Sequence, residues 1–443
     1  MDHMHETNEY KSGSITLGGA VAMGTGVMIG AGIFALTGQI AELAGPLFPL
    51  AFVAGAIITS FSAYSYVKMS NAWPSAGGIA MILQKCYGAG AIAAGAALLM
   101  AFSMVIAESL VARTFATYLL RPFDMEGGPL VPVLAVAVIL FAFLINIAGN
   151  RSIGLFSIVM AVIKIGGIAL FGGAAIWGSG LGFATEPSAG DSYGLTGFVA
   201  SVALAILAFK GFTTITNSGS EITEPHKNVG RAITISIALC VIVYLMVAYG
   251  VGASLPIEKI VAARDYSLAE AAEPTLGQVG FLLTILLAVV ATASAVLASV
   301  FAVSRMLTML TDMKMIPHSH FGMSGPIQRH TLVYTVVIAS TLAVLFDLSR
   351  IASLGAFFYL VMDMAVHWGV WRFRRKEIGA AGLVLLTAFS FDAIVLVVFT
   401  VMKLQYDPTI VVYAVAAIAA VFVFERFYLS RWRAPTDEGM SGH

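Results

Sequence analysis

The sequence predicts an all-α integral membrane protein with twelve transmembrane helices, and its composition is the first reason. Of the 443 residues, 59% are hydrophobic and 11% are charged, against roughly 45–50% and about 25% in soluble domains. The mean hydropathy is +0.91. So few charged side chains cannot cover a soluble globule of 46.5 kDa. A soluble enzyme, a disordered chain and a secreted disulfide scaffold are therefore excluded.

The spacing of the hydrophobic residues is the second reason. Twelve stretches are each long enough to cross a bilayer, which takes about 20 mainly apolar residues. Gly-Pro, Gly-Asn and Asp-Pro pairs lie between several of them, as expected at turns. The stretches are 15–43, 47–70, 90–120, 129–149, 153–178, 196–221, 229–252, 278–310, 331–347, 350–371, 380–402 and 408–429.

The distribution of basic residues is the third reason, and it predicts the orientation. If the N-terminus is cytoplasmic, the cytoplasmic loops and ends hold 16 of the 24 Lys and Arg residues, and the outer loops hold five. Because basic residues are enriched on the cytoplasmic side, we expect a multi-pass protein of the plasma or inner membrane. The segment 1–14 and the tail 430–443 are both predicted to be cytoplasmic. The longest outer loop, 253–277, is expected to contain a short helix.

Charge balance and cysteine content narrow the function further. The 24 basic and 24 acidic residues leave no net charge, so we expect no nucleic-acid partner. Cys86 and Cys240 lie in different segments and lack the spacing of a metal or redox motif. The sequence contains no glycine-rich phosphate-binding motif. We therefore expect neither a metal nor a cofactor.

Two spans contain residues that disfavour a regular helix. In the first, Gly24, Gly26, Gly30 and Gly32 lie close together, and a glycine costs a helix about 1 kcal/mol relative to alanine. The sixth span carries a lysine, two glycines and several hydroxyl residues between 208 and 220. Close helix packing is the alternative explanation for small residues in one span. Paired interruptions in the opening spans of two five-helix halves instead indicate the central site of a transporter.

Interrupted helices at membrane depth can bind a solute through their backbone. Free amides at a helix N-terminus attract a carboxylate, and free carbonyls attract a cation. A site with both kinds of group suits a zwitterion. An enzyme is less well supported, because the spans hold one histidine, His367, and no catalytic cluster. A channel is less well supported as well, because no selectivity loop is visible.

Four motifs resemble those of the amino acid–polyamine–organocation transporter superfamily. They are the glycine-rich run 26–34, the segment 74–78 with Tyr87 and Gly88, the segment 221–233, and the region 304–317. The chain departs from the family in two places. Gly230 stands where the family usually has proline, and 311–314 lack its usual acidic-glycine sequence.

The resemblance implies a five-plus-five inverted repeat that works by alternating access, with discontinuous helices 1 and 6. Residues 15–178 would form the first repeat, 196–371 the second, and 380–429 two appended helices. In the family, the substrate carboxylate meets amides in the helix 1 break, and the amino group meets carbonyls there and in helix 6. The substrate-binding residues implied here are Ile29, Gly30, Ala31, Gly32, Phe209, Lys210, Gly211 and Phe212.

Lys164 lies near the middle of the fifth span. A charge at that depth is costly and indicates function, although snorkelling to an interface is an alternative. Burial makes the protonated, charged form of an amine less favourable. The resemblance implies a proton-coupling role, because sodium-independent branches of the family carry a lysine where sodium-coupled relatives bind the ion. The expected neighbours are the Gly26 carbonyl and the hydroxyls of Ser294 and Ser299.

Other ionisable residues also fall within the spans. Lys210 lies in the predicted helix 6 break, and we expect it to pair with Glu108 or Asp363. The alternative is that it binds a second substrate carboxylate. Asp363 and His367 are four residues apart and share one helix face. Asp392 is interpreted as a packing or dimer-contact residue.

Together these patterns predict a permease that imports a small amino acid, or a related amine-bearing metabolite, in symport with a proton. An amino acid exchanger and a cation or organic-acid transporter are alternatives within the same fold. A channel and a polytopic membrane enzyme are more distant alternatives. The expected partners are the substrate, the proton and the lipid bilayer. The patterns predict neither the charge class of the substrate nor the oligomeric state.

Overall fold

The structure is a computed structural model that describes residues 13–75, 77–148, 153–178, 193–313, 315 and 327–432. Most of the predicted terminal segments, and positions 314 and 316–317 of the fourth motif, lie outside the described residues. The described residues form α-helices, which are α1 (Leu17–Ala44), α2 (Phe48–Ala72), α3 (Gly78–Tyr87), α4 (Ala91–Leu120), α5 (Leu130–Ala148), α6 (Ile153–Gly178), α7 (Leu195–Phe209), α8 (Thr213–Thr216), α9 (Pro225–Ser254), α10 (Ile257–Ala262), α11 (Ser267–Asp312), α12 (Ile327–Leu345), α13 (Leu348–Gly369), α14 (Gly382–Tyr406) and α15 (Pro408–Trp432).

Many of these helices have the length and composition of membrane spans. Among the described residues, nine helical segments are long and apolar enough to cross a membrane. Three shorter apolar helices, Leu17–Gly30, Val162–Gly178 and Arg329–Leu345, accompany them. The all-α membrane fold is therefore confirmed. The count of twelve spans stays a prediction.

The first helix is continuous, so the predicted break in it is wrong. Thr16 caps its N-terminus by accepting a hydrogen bond from the Gly19 amide at 3.1 Å. From there α1 runs without interruption to Ala44. It ends at Gly45, whose φ of +58° is favourable only for glycine.

Close packing explains why the glycines of α1 do not break it. A β-carbon on Gly24 would lie 2.6 Å from the side chain of Ile215, and one on Gly30 would lie 2.7 Å from that of Ala295. Both distances are too short for a real β-carbon, so these glycines let neighbouring helices approach closely. The packing energy of the bundle outweighs the low helix propensity.

The sixth predicted span is interrupted, as predicted. A 3₁₀ turn, Lys210–Phe212, separates α7 from α8. The Thr213 hydroxyl donates to the Lys210 carbonyl at 2.9 Å, and the Thr214 hydroxyl donates to the Gly211 carbonyl at 2.8 Å. Unwound backbone at membrane depth needs such partners. The hydroxyl residues that follow the turn therefore stabilise it.

α1 packs against helices from both predicted repeats, namely α6, α7, α9 and α11. α4 packs against α11 and α13, and α14 packs against α2, α7 and α13. Gly277, with a φ of +64°, divides α11 into a short helix and a long one. The short part and α10 confirm the helical structure predicted for the loop 253–277.

Candidate functional site

A cavity of about 640 Å³ extends from the face of the bundle where α1 begins to the middle of the bundle. We call it the central cavity. Its volume is typical of small-molecule sites, which span roughly 300–1,000 Å³. Its lining includes Met23, Gly26 and Val27 of α1, Lys164 of α6, Thr214, Asn217, Ser218 and Glu221 after the 3₁₀ turn, and Ser294, Phe301 and Arg305 of α11.

The burial of successive residues of α1 marks the inner end of the central cavity. Met23, Gly26 and Val27 are partly exposed, whereas Met28 and Ile29 are buried. The space around the position of a Gly26 β-carbon is open. The central cavity therefore reaches Gly26 and Val27 and ends at the next turn of the helix.

Beyond that point α1 is tightly packed as far as the opposite face. The Gln39 side chain is buried and donates a hydrogen bond to Asp265 at 2.6 Å. Arg264, the residue before Asp265, forms an ion pair with Glu42. The ring of Phe34 packs edge-on against a neighbouring aromatic ring of α4. These contacts separate the central cavity from the face where α1 ends.

Lys164 lies where the sequence predicted, at the inner end of the central cavity. Its side chain is 4% exposed, and its Nζ lies 3.5 Å from the Gly26 carbonyl oxygen. Ser294 lines the same cavity and donates its hydroxyl to the Ala291 carbonyl at 3.0 Å. Ser299 is half-buried and is not among the lining residues. The predicted contact with Gly26 is present, while the role in proton coupling stays a prediction.

The implied substrate-binding residues whose side chains the structure describes, which are all but Ala31, lie beside the central cavity, and none of them lines it. The backbone of residues 29–32 belongs to the continuous α1. The helix therefore uses the amides that a break would have freed, and the prediction of free amides there is wrong. The side chains and backbone of the turn are buried as well. The residues concerned are Ile29, Gly30, Ala31 and Gly32 on α1, and Phe209, Lys210, Gly211 and Phe212 at the turn.

α1 and the interrupted span contact each other directly at the closed end of the cavity. The Tyr244 hydroxyl lies 2.6 Å from the Met28 carbonyl oxygen and 3.1 Å from that of Ala208. A β-carbon on Gly32 would lie 2.7 Å from the Ala208 carbonyl oxygen, and one on Gly211 would lie 2.8 Å from the Met28 amide nitrogen. The structure thus brings the two predicted segments together, as packed helices and not as an open binding site.

Lys210 is anchored to α4 and does not pair with a carboxylate. Its Nζ donates to the carbonyl and to the hydroxyl oxygen of Ser103, both at 2.8 Å, and lies 5.9 Å from the centroid of the Tyr359 ring. Within the described residues it forms no ion pair with Glu108 or Asp363, so the predicted pairing is wrong. Oxygen atoms of Ser103 already occupy the position that a carboxylate would take.

The two carboxylates have other surroundings. Glu108 is fully buried on α4, and its carboxylate oxygens have no hydrogen-bond partner in the described structure. Asp363 accepts hydrogen bonds from Ser62, at 2.7 Å, and from Tyr66. Asp392 is also fully buried, which agrees with the predicted packing role and not with the alternative of a dimer contact.

We expect Lys210→Met to lower the melting temperature of the purified protein without changing which ligands it binds. The variant loses two hydrogen bonds from a charged donor, and each such bond is worth about 1.5–3 kcal/mol. Ser103→Ala is the matched variant, and it should cost less because the carbonyl remains. An unchanged melting temperature, together with a new preference for ligand charge, would instead support the substrate role.

Two features of the central cavity have no counterpart among the sequence predictions. Asn217 is 8% exposed and lines the cavity, and within the described residues neither its Oδ1 nor its Nδ2 has a hydrogen-bond partner. Nearer the face where α1 begins, Arg305 forms an ion pair with Glu221. The sequence signal for Asn217 is the run of polar residues after the turn. That run predicts an interrupted helix, but by itself it does not predict a residue that lines a cavity.

Comparison with known proteins assigns this bundle to a family. The amino acid permease family matches residues 15–424. The chain is 27% identical over 343 residues to the inner membrane transport protein YbaT of Escherichia coli, covering 75% of this chain and 77% of YbaT. It is 29% identical over 426 residues to the protein MJ0609 of Methanocaldococcus jannaschii, covering 95% and 96%. It is 24% identical over 377 residues to the branched-chain amino acid permease BcaP of Lactococcus lactis, covering 78% of each chain.

The bundle and its cavity are those of a multi-pass membrane transporter and not of an enzyme. The chain belongs to the amino acid permease family. The resemblance to the amino acid–polyamine–organocation superfamily is thereby confirmed, and the protein transports amino acids or related compounds.

Proposed function

We propose that the protein imports a small amino acid, or a related amine-bearing metabolite, together with a proton. The observation that carries this proposal is the buried amine of Lys164 at the closed end of the central cavity. A charge in that position has to be neutralised, or lose its proton, before the surrounding helices can pack more tightly. Protonation of one residue would therefore be linked to closure of the cavity.

We further propose that the face where α1 begins is cytoplasmic and that both termini lie on that side, in a plasma or inner membrane. The excess of basic residues on that side supports this orientation. The conformation would then be inward-facing, with the opposite side closed at Gln39 and Glu42. Alternating access would exchange the open and closed sides. Residues 15–178 and 196–371 would act as the two inverted repeats, with 380–429 appended.

The lining of the central cavity favours a small zwitterion. Glu221 and Arg305 neutralise each other, so Lys164 sets the net charge of the inner end. Met23, Val27 and other apolar side chains form most of the wall. A few fixed polar groups in an apolar wall orient a small ligand without requiring a charged side chain on it. The similarity to BcaP, a branched-chain amino acid permease, agrees with this chemistry.

Asn217→Ala should weaken ligand binding about five- to tenfold and leave the melting temperature of the ligand-free protein almost unchanged. Within the described residues the Asn217 amide has no partner to lose, and a hydrogen bond of about 1–1.5 kcal/mol to a ligand is worth roughly five- to tenfold in affinity. Asn228→Ala is the matched control, because the Asn228 amide donates to the Thr223 carbonyl at 2.7 Å. That control should lose stability and keep its affinity.

Two measurements test the proposed function. A thermal-shift panel of the twenty amino acids, polyamines and small dicarboxylates would identify the ligand class, and we expect stabilisation by small neutral amino acids. Uptake of the best ligand into proteoliposomes should proceed without sodium and should collapse when a protonophore is added. Uptake that requires sodium, or that ignores the protonophore, would overturn proton coupling.

The same measurements separate the alternatives. An exchanger would take up labelled ligand only when unlabelled ligand is inside the vesicles. A cation or organic-acid transporter would be stabilised by ions or dicarboxylates and not by amino acids. A channel would carry a steady current and would not accumulate any solute against its gradient.

A further inference from the structure

A second buried cluster of ionisable residues lies outside the central cavity. Asp363 and His367 of α13 meet Asp392 of α14, and all three side chains are 0% exposed. One ligand-type atom from each residue lies within 4.8 Å of those of the other two. The cluster joins α13 to one of the two helices that the sequence predicts to be appended to the core.

The spacing within the cluster does not match direct hydrogen bonds. The Nε2 atom of His367 lies 3.3 Å from Asp392 Oδ2 and 3.5 Å from Asp363 Oδ2. A charge-assisted N–H···O bond would measure about 2.7–2.9 Å. In the described structure, His367 Nε2 and both carboxylate oxygens of Asp392 have no hydrogen-bond partner. These three atoms are therefore fully desolvated.

The two distances from His367 Nε2 are close to those between neighbouring ligand atoms of a tetrahedral metal ion. Zinc binds imidazole nitrogen and carboxylate oxygen at about 2.0–2.1 Å, so neighbouring ligand atoms of a tetrahedral site lie about 3.3 Å apart. Two carboxylates and one neutral imidazole carry a charge that a divalent ion cancels, and buried charges need such compensation. Carboxylate oxygens and imidazole nitrogen are ligands that zinc and its neighbouring transition metals accept.

Neighbouring side chains support the ligands in the way metal sites require. The second ring nitrogen of His367, Nδ1, lies 2.8 Å from the Ser65 hydroxyl of α2. Asp363 accepts hydrogen bonds from Ser62 and Tyr66 of the same helix. Such contacts fix the ring orientation and tautomer of a metal-bound histidine and hold a carboxylate ligand in place.

From this geometry we propose that Asp363, His367 and Asp392 form a binding site for a divalent transition-metal ion, with zinc as the best fit. A fully buried site with three protein ligands clamps α13 and α14 to each other and, through Ser62, Ser65 and Tyr66, to α2. The Tyr66 ring also packs edge-on against Phe212, with centroids 5.4 Å apart. Through this contact of α2 with Phe212, the metal site would stabilise the 3₁₀ turn.

Zinc content tests this proposal. Because the site is buried, zinc has to be supplied during expression, and the affinity tag has to be removed before the measurement. We expect about one zinc per chain by mass spectrometry of the purified wild type, and little zinc in His367→Gln and Asp392→Asn. Glu425→Gln is the matched control, because it also removes a buried carboxylate that has no hydrogen-bond partner among the described residues, and this variant should keep its zinc.

Two results would overturn the site. Wild-type protein without zinc would mean that the cluster shares protons and binds no metal, and equal zinc in wild type and both variants would mean adventitious metal only. If the variants fail to fold, X-ray absorption of the zinc in the wild type decides. One imidazole and otherwise oxygen ligands at about 2.0–2.2 Å would support the site, and sulfur or several imidazoles would refute it.

Discussion

Lys164→Ala is expected to abolish accumulation of the substrate against a gradient while ligand binding persists. The variant removes the amine that lies 3.5 Å from the Gly26 carbonyl oxygen, and with it the proposed proton-carrying group. With a pH difference of about one unit, one-for-one coupling supports roughly tenfold accumulation in the wild type, because 1.4 kcal/mol corresponds to a factor of ten. The variant should only equalise the two concentrations. Uptake into proteoliposomes with an imposed pH gradient measures this difference.

Lys403→Ala provides the control for this prediction. Lys403 is also a buried lysine, 8% exposed, but it belongs to α14 and lies outside the central cavity. That variant should still concentrate the substrate. If Lys164→Ala protein drives concentrative uptake as well as the Lys403 variant does, Lys164 is not the proton-coupling group.

Gly32→Ala should strongly destabilise the protein and stop transport. The added β-carbon would lie 2.7 Å from the Ala208 carbonyl oxygen and would also meet the Tyr244 hydroxyl. Both are held at the contact between α1 and the interrupted span, so neither can move away easily. Overpacking of this kind typically costs about 1–3 kcal/mol. The melting temperature and the yield of folded protein should both fall.

Gly26→Ala is the matched substitution on the same helix. Open space surrounds the position of its β-carbon, and alanine favours a helix over glycine by about 1 kcal/mol. The melting temperature of this variant should be unchanged or higher. Equal losses of stability in the two variants would contradict the packing role assigned to Gly32.

The membrane fold and the family could be predicted from the sequence because they rest on features distributed along the whole chain. A run of about 20 apolar residues predicts a membrane span without any knowledge of the segments that pack against it. The burial of Lys164 could be predicted from its depth within a span, and its contact with Gly26 from the resemblance, whereas its role in proton coupling stays a prediction. The interruption near Lys210 was recognisable because lysine, glycine and hydroxyl residues coincide there.

The errors arose where packing between distant segments decides the outcome. The propensity of glycine to break a helix is local, but Gly30 and Gly32 are held in α1 by Ala295 and Ala208. The partner of Lys210 is Ser103, more than a hundred residues away in sequence, and no local pattern predicts that contact. Asp392 was interpreted by its place in an appended helix, whereas its surroundings depend on how that helix docks.

Because α1 is continuous, a movement of one of its ends is transmitted to the other face of the bundle. A continuous helix of 28 residues is about 42 Å long at 1.5 Å per residue, so it can tilt as one unit. Its contact with the 3₁₀ turn near Met28 lies close to its midpoint and would serve as the pivot. Swinging one end of such a helix outward draws the other end inward. A single continuous element would then ensure that the gates on the two sides are never open together.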